Sequence, residues 1–577
     1  MRCCCVMTAT RRAEPVSLDG ERVADLRAVA NRIGGADQAR KRRLLRDAAN
    51  HALSNVDALL QYHDVLLFLL AYPETAAMRE TAARELSRVA HAARIICTAG
   101  PGRARERIRG SGIAWSSVTF AFSHAIARWL VERYPSCVEI DSFSDSGSLP
   151  VECLRQALLP LEFDLIESYE DAPDALVDEA ASQSKEGGLG WLLQQFDSLR
   201  CSGALRATLF DLLQVFLSLN PRGEVISRTF ARGLPAATYY HRGPLLRNVD
   251  VESLVKKSLP AAQRLSQDER VHLIDVGRAI LAMLGRETDP LTHADPRYIR
   301  HYTLDRGVAI ALYSARPGQR NPLDSHIGYV LFKNTVPIAY GGGWPFFGVC
   351  KIGVNIFAPF RGGESSYVMA SILRVYAQLF AVERFVVEPY QFGAGNREGL
   401  ESGAFWFYYR LGFRPEDLEE RDLASREFDR MQREPGYRSP LTVLRRFTRS
   451  DLELVMVPGA QAACDPADLS RATTAWIGER FHSDRGRAEA FAVKCVSSAL
   501  DLGETVRWKS DARDALRAMA PLLAQIADLR AWPSRDKSRL EALIRAKGGD
   551  EYHYFAQMAG FTRLRNAFSG IASRAPA

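Results

Sequence analysis

"NIFAPFRGGESSY", residues 355–367, is the stretch on which the fold turns. It reads as the end of a strand, a tight Arg361-Gly362-Gly363 turn and the start of a helix. At such a junction the first helical N–H groups have no intrahelical partner, so they face outward and favour an anion. Glu364 stands where a phosphate cradle wants bare backbone. A carboxylate beside a pyrophosphate costs about 1 kcal/mol at roughly 4 Å in water, and more where water is excluded. The same residue in a first helical turn suits the positive end of the helix dipole. The turn therefore has two readings, an anion cradle or a plain helix start.

Working outward from it toward the N-terminus, "GVAIALYSARP" (307–317), "HIGYVLFKNTVPIAYGGG" (326–343) and "VCKIGVNIFAPF" (349–360) are β-branched, aromatic and broken by Gly, Pro and Asn. They predict three or four strands joined by short turns. Toward the C-terminus, Val368, Ile372, Val375 and Leu379 line one stripe of an amphipathic helix. A further strand, "RFVVEPYQF" (384–392), is followed by a Gly-rich loop, "GAGNREG", a helix over 401–411 and a closing "LGFRPED". Residues 295–450 thus predict an α+β unit.

"IFAPFRGGESS" (356–366) with its helix, and "GAFWFYYRLGFRP" (403–415) further on, resemble the GNAT superfamily of acyl-CoA N-acyltransferases. The resemblance covers about residues 300–450. It implies a GNAT-like mixed sheet with flanking helices and an acyl-CoA co-substrate, acetyl-CoA or a longer one. It also implies that the turn holds the coenzyme A pyrophosphate, through Arg361, Gly362, Gly363, Ser365 and Ser366. The two later small positions of the family turn fall on Glu364 and Ser366, so the loop is degenerate. Asn396 matches the family asparagine if "EGLES" (398–402) is an insertion. Tyr408, four residues before Gly412, takes the place of the tyrosine that protonates the leaving thiolate, with the adjacent Tyr409 as the alternative. A phenol suits that role because its pKa near 10 makes it a competent donor to a thiolate.

For the base that takes the amine proton, the residues themselves offer Glu388 in "FVVEPYQ", tuned upward if buried, with His326 as a rival. Gly341, Gly342 and Gly343 in "YGGGWPFFG" (340–348) predict a hairpin or lip near the acceptor, leaving room for a ligand or another chain. The leading function is acyl transfer to an amine. The alternative is a non-catalytic GNAT-like scaffold that binds partners.

The flanks are expected to be helical: residues 18–290 as a large all-helical domain, residues 455–577 as a helical C-terminal region, and residues 1–17, with Cys3, Cys4 and Cys5, as a disordered leader. "SVTFAFSHAIARWLVERY" (117–134) and "RATLFDLLQVFLSL" (206–219) are read as helices within the first. The 577 residues are 47% apolar and 25% charged, and net charge +7 is mild over that length, so composition fits a globular protein and demands no anionic partner. The ten cysteines form no CxxC pair or zinc spacing, no HExxH, Walker or GxSxG motif occurs, and the greasiest run, "VLLFLLAY" (65–72), is too short to span a bilayer. The expectation is a cytoplasmic protein without a metal and off the membrane. "ARKRRLLR" (39–46) is read as a polar helix face and "RTFARGLP…YYHRGPLLR" (228–247) as a solvated loop, so nucleic acid is not an expected partner.

Overall fold

Where β-branched residues meet helix breakers, the first third of the chain departs from an all-helical reading. The computed structural model describes residues 16–144, 149–168, 172–221, 226–459 and 465–574; the Cys3–Cys5 leader and Cys464 lie outside them. Two compact units are present, and the first comprises Met1–Arg232, Ala236–Leu245 and Arg278–Glu287. Its helices include Val56–Ala71, which buries side chains all round its circumference, and Ala76–Ala99, capped by Thr75, whose hydroxyl accepts from the Met78 N–H at 3.2 Å.

Three short strands, β1 (Val118–Phe120), β2 (Val138–Phe143) and β3 (Val215–Leu219), form an antiparallel sheet in the order β1-β3-β2. Two of them correct the helical reading of 117–134 and 206–219. Ser123 caps a helix beginning only at His124, and its N–H and hydroxyl both donate to Glu287, at 2.7 and 2.6 Å. Gln214, at φ 46°, ends the preceding Gly203–Leu212 helix before the Val-Phe-Leu run of β3. The region 18–290 is therefore not all-helical.

The second unit is Gly233–Pro235, Leu246–Gly277 and Thr288–Ala577. Its sheet holds β4 (Arg300–Thr303), β5 (Val308–Tyr313), β6 (Ile327–Lys333), β7 (Val336–Phe346), β8 (Val349–Ile356), β9 (Arg384–Val387), β10 (Arg414–Pro415) and β11 (Leu452–Val455). The order is β10-β11-β9-β8-β7-β6-β5-β4. All neighbours are antiparallel except β8 and β9, so the sheet is mixed and the unit is α+β.

The turns explain the meander. Asn334 and Thr335, at φ 48° and 71°, join β6 to β7, and Phe347 and Gly348, at 45° and 81°, join β7 to β8. Two consecutive positive φ values are what a tight two-residue hairpin needs to match strand twist. The Ser365–Phe380 helix then crosses from β8 to the parallel β9. Strand β9 stops at Val387, short of the predicted 392, because Pro389 opens a 3₁₀ turn over Pro389–Phe392.

Helices expected as a separate C-terminal region pack inside this unit. Tyr552 and Phe555, on the Glu551–Ala559 helix, sit against Phe380 with ring centroids 6.0 and 5.9 Å away. Among the described residues, no helix is long and apolar enough to cross a membrane.

Candidate functional site

The parallel pair opens into a fork. β8 and β9 are in register only at Val349↔Arg384, Cys350↔Phe385 and Lys351↔Val386, while β8 runs on to Ile356. Beyond Lys351, β8 keeps its β7 neighbour and loses β9. Side chains enter that gap. Tyr408, from the Ala404–Arg410 helix, is buried, with the Val354 amide of β8 near its hydroxyl. Burial pushes the Tyr408 hydroxyl well up, which the nearby Val354 amide only partly offsets, so it stays protonated. The Gln391 amide lies against Gly353, so close that a Cβ there would sit 2.7 Å from it.

The Arg361 turn stands at the end of β8. The Gly363 N–H donates to the Phe360 carbonyl at 2.9 Å, and the Ser365 hydroxyl donates to the Arg361 carbonyl at 3.1 Å. The first i→i−4 bond of the helix runs from Val368 N–H to Glu364 O, at 2.9 Å, so the amides of Ser365, Ser366 and Tyr367 precede the helical ladder. Arg361 is exposed; its guanidinium pairs with Glu398 at 2.6 Å and its Nε donates to the Ile356 carbonyl at 3.1 Å. Glu398 lies just after Asn396, so the turn and the asparagine loop are neighbours. Asn396 itself is engaged: its Oδ1 caps the Arg397–Glu401 helix through Gly399 N–H, and its Nδ2 donates to Tyr390 O, both at 3.0 Å. That makes it a helix cap first.

Glu364 turns away from the cradle. Only 1% exposed, its carboxylate accepts from Lys333 Nζ at 2.7 Å, from Arg306 Nε at 3.0 Å and Nη2, and from the Leu246 N–H at 3.1 Å. Burial alone would raise its pKa, but Lys333 and then Arg306 outweigh burial and hold it below the usual carboxylate range. The charge that argued against a pyrophosphate site is therefore neutralised inside the unit.

The base candidates fare differently. Glu388 is exposed at the end of β9, with its carboxylate 3.0 Å from Lys351, so the burial that would tune it is lacking. His326 stacks on Trp344 at 3.9 Å and lies across Gly342, its pKa lowered to about 4 by burial, which leaves it neutral and too weak a base to hold a proton near neutrality. The three glycines do not form an outer lip. They lie in the interior of β7, where Tyr329 covers Gly341, His326 covers Gly342, and Cys350 with Tyr376 covers Gly343. The space they leave is filled by the chain itself. Tyr409 packs under Arg414, whose guanidinium is 4.0 Å from its ring centroid, so Tyr408 is the tyrosine that reaches β8.

Sequence reasoning missed Lys351, Gln391 and the Lys333–Arg306 pair. Gly353 inside a strand was the one available signal, since such a glycine marks a close approach. Among the described residues, no group of three or more His, Cys, Asp or Glu is placed to hold a metal ion. Compared with family models, curated proteins and solved structures, the chain gives no match.

Proposed function

We propose that the second unit is a GNAT-like domain that transfers an acyl group from acyl-CoA to an amine. One observation carries this reading: the parallel β8–β9 pair opens after three residue pairs beside a turn where the amides of Ser365, Ser366 and Tyr367 precede the helical ladder and Glu364 is buried against Lys333. The pyrophosphate falls to the amides of Ser365, Ser366 and Tyr367, with Arg361 as the nearby cation. The thioester end then enters the fork. Attack by the amine nitrogen forms the C–N bond and breaks the C–S bond; Tyr408 gives its proton to the departing thiolate, and the amine proton leaves through Glu388 or water at the rim.

A second reading, a GNAT-like scaffold without catalysis, is favoured by a separate observation. Tyr408, buried beside the Val354 amide, and Gln391, its amide against Gly353, already occupy the gap.

Acetyl-CoA separates the two. At about 100 times its dissociation constant a ligand adds about 2.7 kcal/mol of stability, a clear upward shift in melting temperature. Absence of a shift with acetyl-CoA and longer acyl-CoAs would leave the scaffold. With binding established, Tyr408→Phe is expected to lower turnover at least about tenfold and leave affinity nearly intact. Unchanged turnover would remove Tyr408 from the mechanism.

A further inference from the structure

A cleft of about 580 Å³ in the first unit combines features that acyl transfer does not use. Trp115, Arg105, Arg109, Glu106 and Asn220 line it. Trp115 is partly exposed and sits at φ 75°, in the left-handed region that disfavours a bulky L-residue. Such strain persists only where the surroundings over-determine it.

They do so here on both sides of the ring. Arg228 N–H donates to Gly112 O at 2.8 Å, and Arg228 Nη1 to Ser111 O at 2.9 Å. Ala114 N–H donates to Thr229 Oγ1 at 3.0 Å, and buried His63 lies 3.0 Å from that same hydroxyl. After the tryptophan, Ser116 Oγ donates to Ile113 O at 2.7 Å, and Gly110 N–H closes the loop onto Ser117 O at 2.8 Å.

The charges around the ring are mostly positive. Arg94 lies 5.7 Å from the Trp115 ring centroid, and Arg105 and Arg109 line the cleft itself. Arg105 pairs with no carboxylate among the described residues, and Glu106, the one acidic residue among those lining the cleft, is 3.7 Å from Arg109. A presented aromatic face selects a flat ring, and guanidinium groups beside it select a phosphate. The volume suits a ligand of nucleotide size.

We propose that this cleft binds a nucleoside phosphate, its base stacked on Trp115 and its phosphate held by Arg105 and Arg109. The same unit of base and phosphate occurs as a free nucleotide or within a single strand.

The test uses the full chain and fluorescence anisotropy of N-methylanthraniloyl-ADP, with ADP, adenosine, inorganic pyrophosphate and a short oligodeoxythymidine as competitors. ADP is expected to displace it, with adenosine and pyrophosphate each at least about tenfold weaker. Trp115→Gly is expected to weaken binding at least about fivefold, the low end for losing one stacked base. Glycine accepts φ 75° without cost, so that variant removes the ring and relieves the backbone together. The exposed pair Arg105→Glu/Arg109→Glu is expected to weaken binding at least about tenfold with an unchanged melting temperature, and it decides the matter if Trp115→Gly fails to fold. Tighter competition by the oligonucleotide than by ADP assigns the site to a strand; the reverse assigns it to a free nucleotide. No displacement by ADP or oligonucleotide at millimolar concentration, or full binding in the arginine double variant, overturns the proposal. Both variants change residues of the first unit only, so acyl-CoA binding is scored independently.

Discussion

Removing the Glu364 carboxylate is expected to cost far more than removing a surface charge. Lys333 is 0% exposed, and it and Arg306 would both lose the carboxylate they share. Breaking a buried pair by deleting one partner typically costs about 3–5 kcal/mol. Glu364→Gln should therefore lower the urea midpoint with an unchanged m-value. Because the side chain faces away from the cradle, the same variant should leave acetyl-CoA affinity where it was. A stability loss under about 0.5 kcal/mol would show that the cluster is not formed, and clearly tighter acetyl-CoA binding would place the carboxylate at the cradle. The conflict at Glu364 was legible in the sequence, but its resolution was not. The partners Lys333, Arg306 and Leu246 lie 31, 58 and 118 positions away, with nothing local to announce them. Asn396 carries a local role that its type alone allows: it caps its own helix, a common use of Asn.

At the scale of elements, the hairpins were readable because "KNTV" and "FFGV" carry turn chemistry between β-branched runs, whereas two strands of the first unit were not. "VTF" and "VFLSL" are three and five residues long and abut real helices, so a helical period spills across them. The glycines of β7 were seen and misplaced, since sequence shows that a side chain is missing but not what fills the gap. At Gly342 a Cβ would lie 2.1 Å from His326 Nε2 and 2.8 Å from the Ile327 carbonyl. Gly342→Ala is expected to destabilise by about 2–3 kcal/mol through overpacking. Most of that clash is with a side chain, so His326→Ala in the same chain should give back part of it. The double variant should be at least about 1 kcal/mol more stable than the two single losses summed, measured by chemical denaturation. Strict additivity would mean that the imidazole does not lie across the glycine.

For the whole molecule, the mixed α+β character and the position of the mixed unit were legible, while the helices it needs were not. Arg374 donates to the Lys257 carbonyl at 2.7 Å, and Gln378 donates to Val255 O at 2.7 Å and accepts from Leu259 N–H at 2.8 Å. From the other end of the chain, Lys547 and Glu551 form a buried pair at 2.6 Å, Glu551 accepts from Ser314 Oγ at 2.9 Å, and the carbonyls of Lys547 and Gly549 accept from Arg320 at 2.9 and 2.8 Å. Tyr554 and Arg565 donate to the carbonyls of Leu323 and Phe347, each at 2.8 Å. A fragment of residues 295–450, the boundaries the sequence suggested, would leave Arg320 and Arg374 without these acceptors and Phe380 without Tyr552 and Phe555. Losing these hydrogen bonds and the apolar packing around Phe380 removes free energy comparable to the roughly 5–15 kcal/mol that holds a domain together. That fragment is expected to be unfolded by circular dichroism and rapidly proteolysed. Residues 233–577, which keep every segment of the second unit, are expected to unfold in a cooperative transition and, if the acyltransferase reading holds, to keep the acetyl-CoA shift of the full chain. A cooperatively folded 295–450 fragment would mean that the helices on either side are attachments rather than parts of its core.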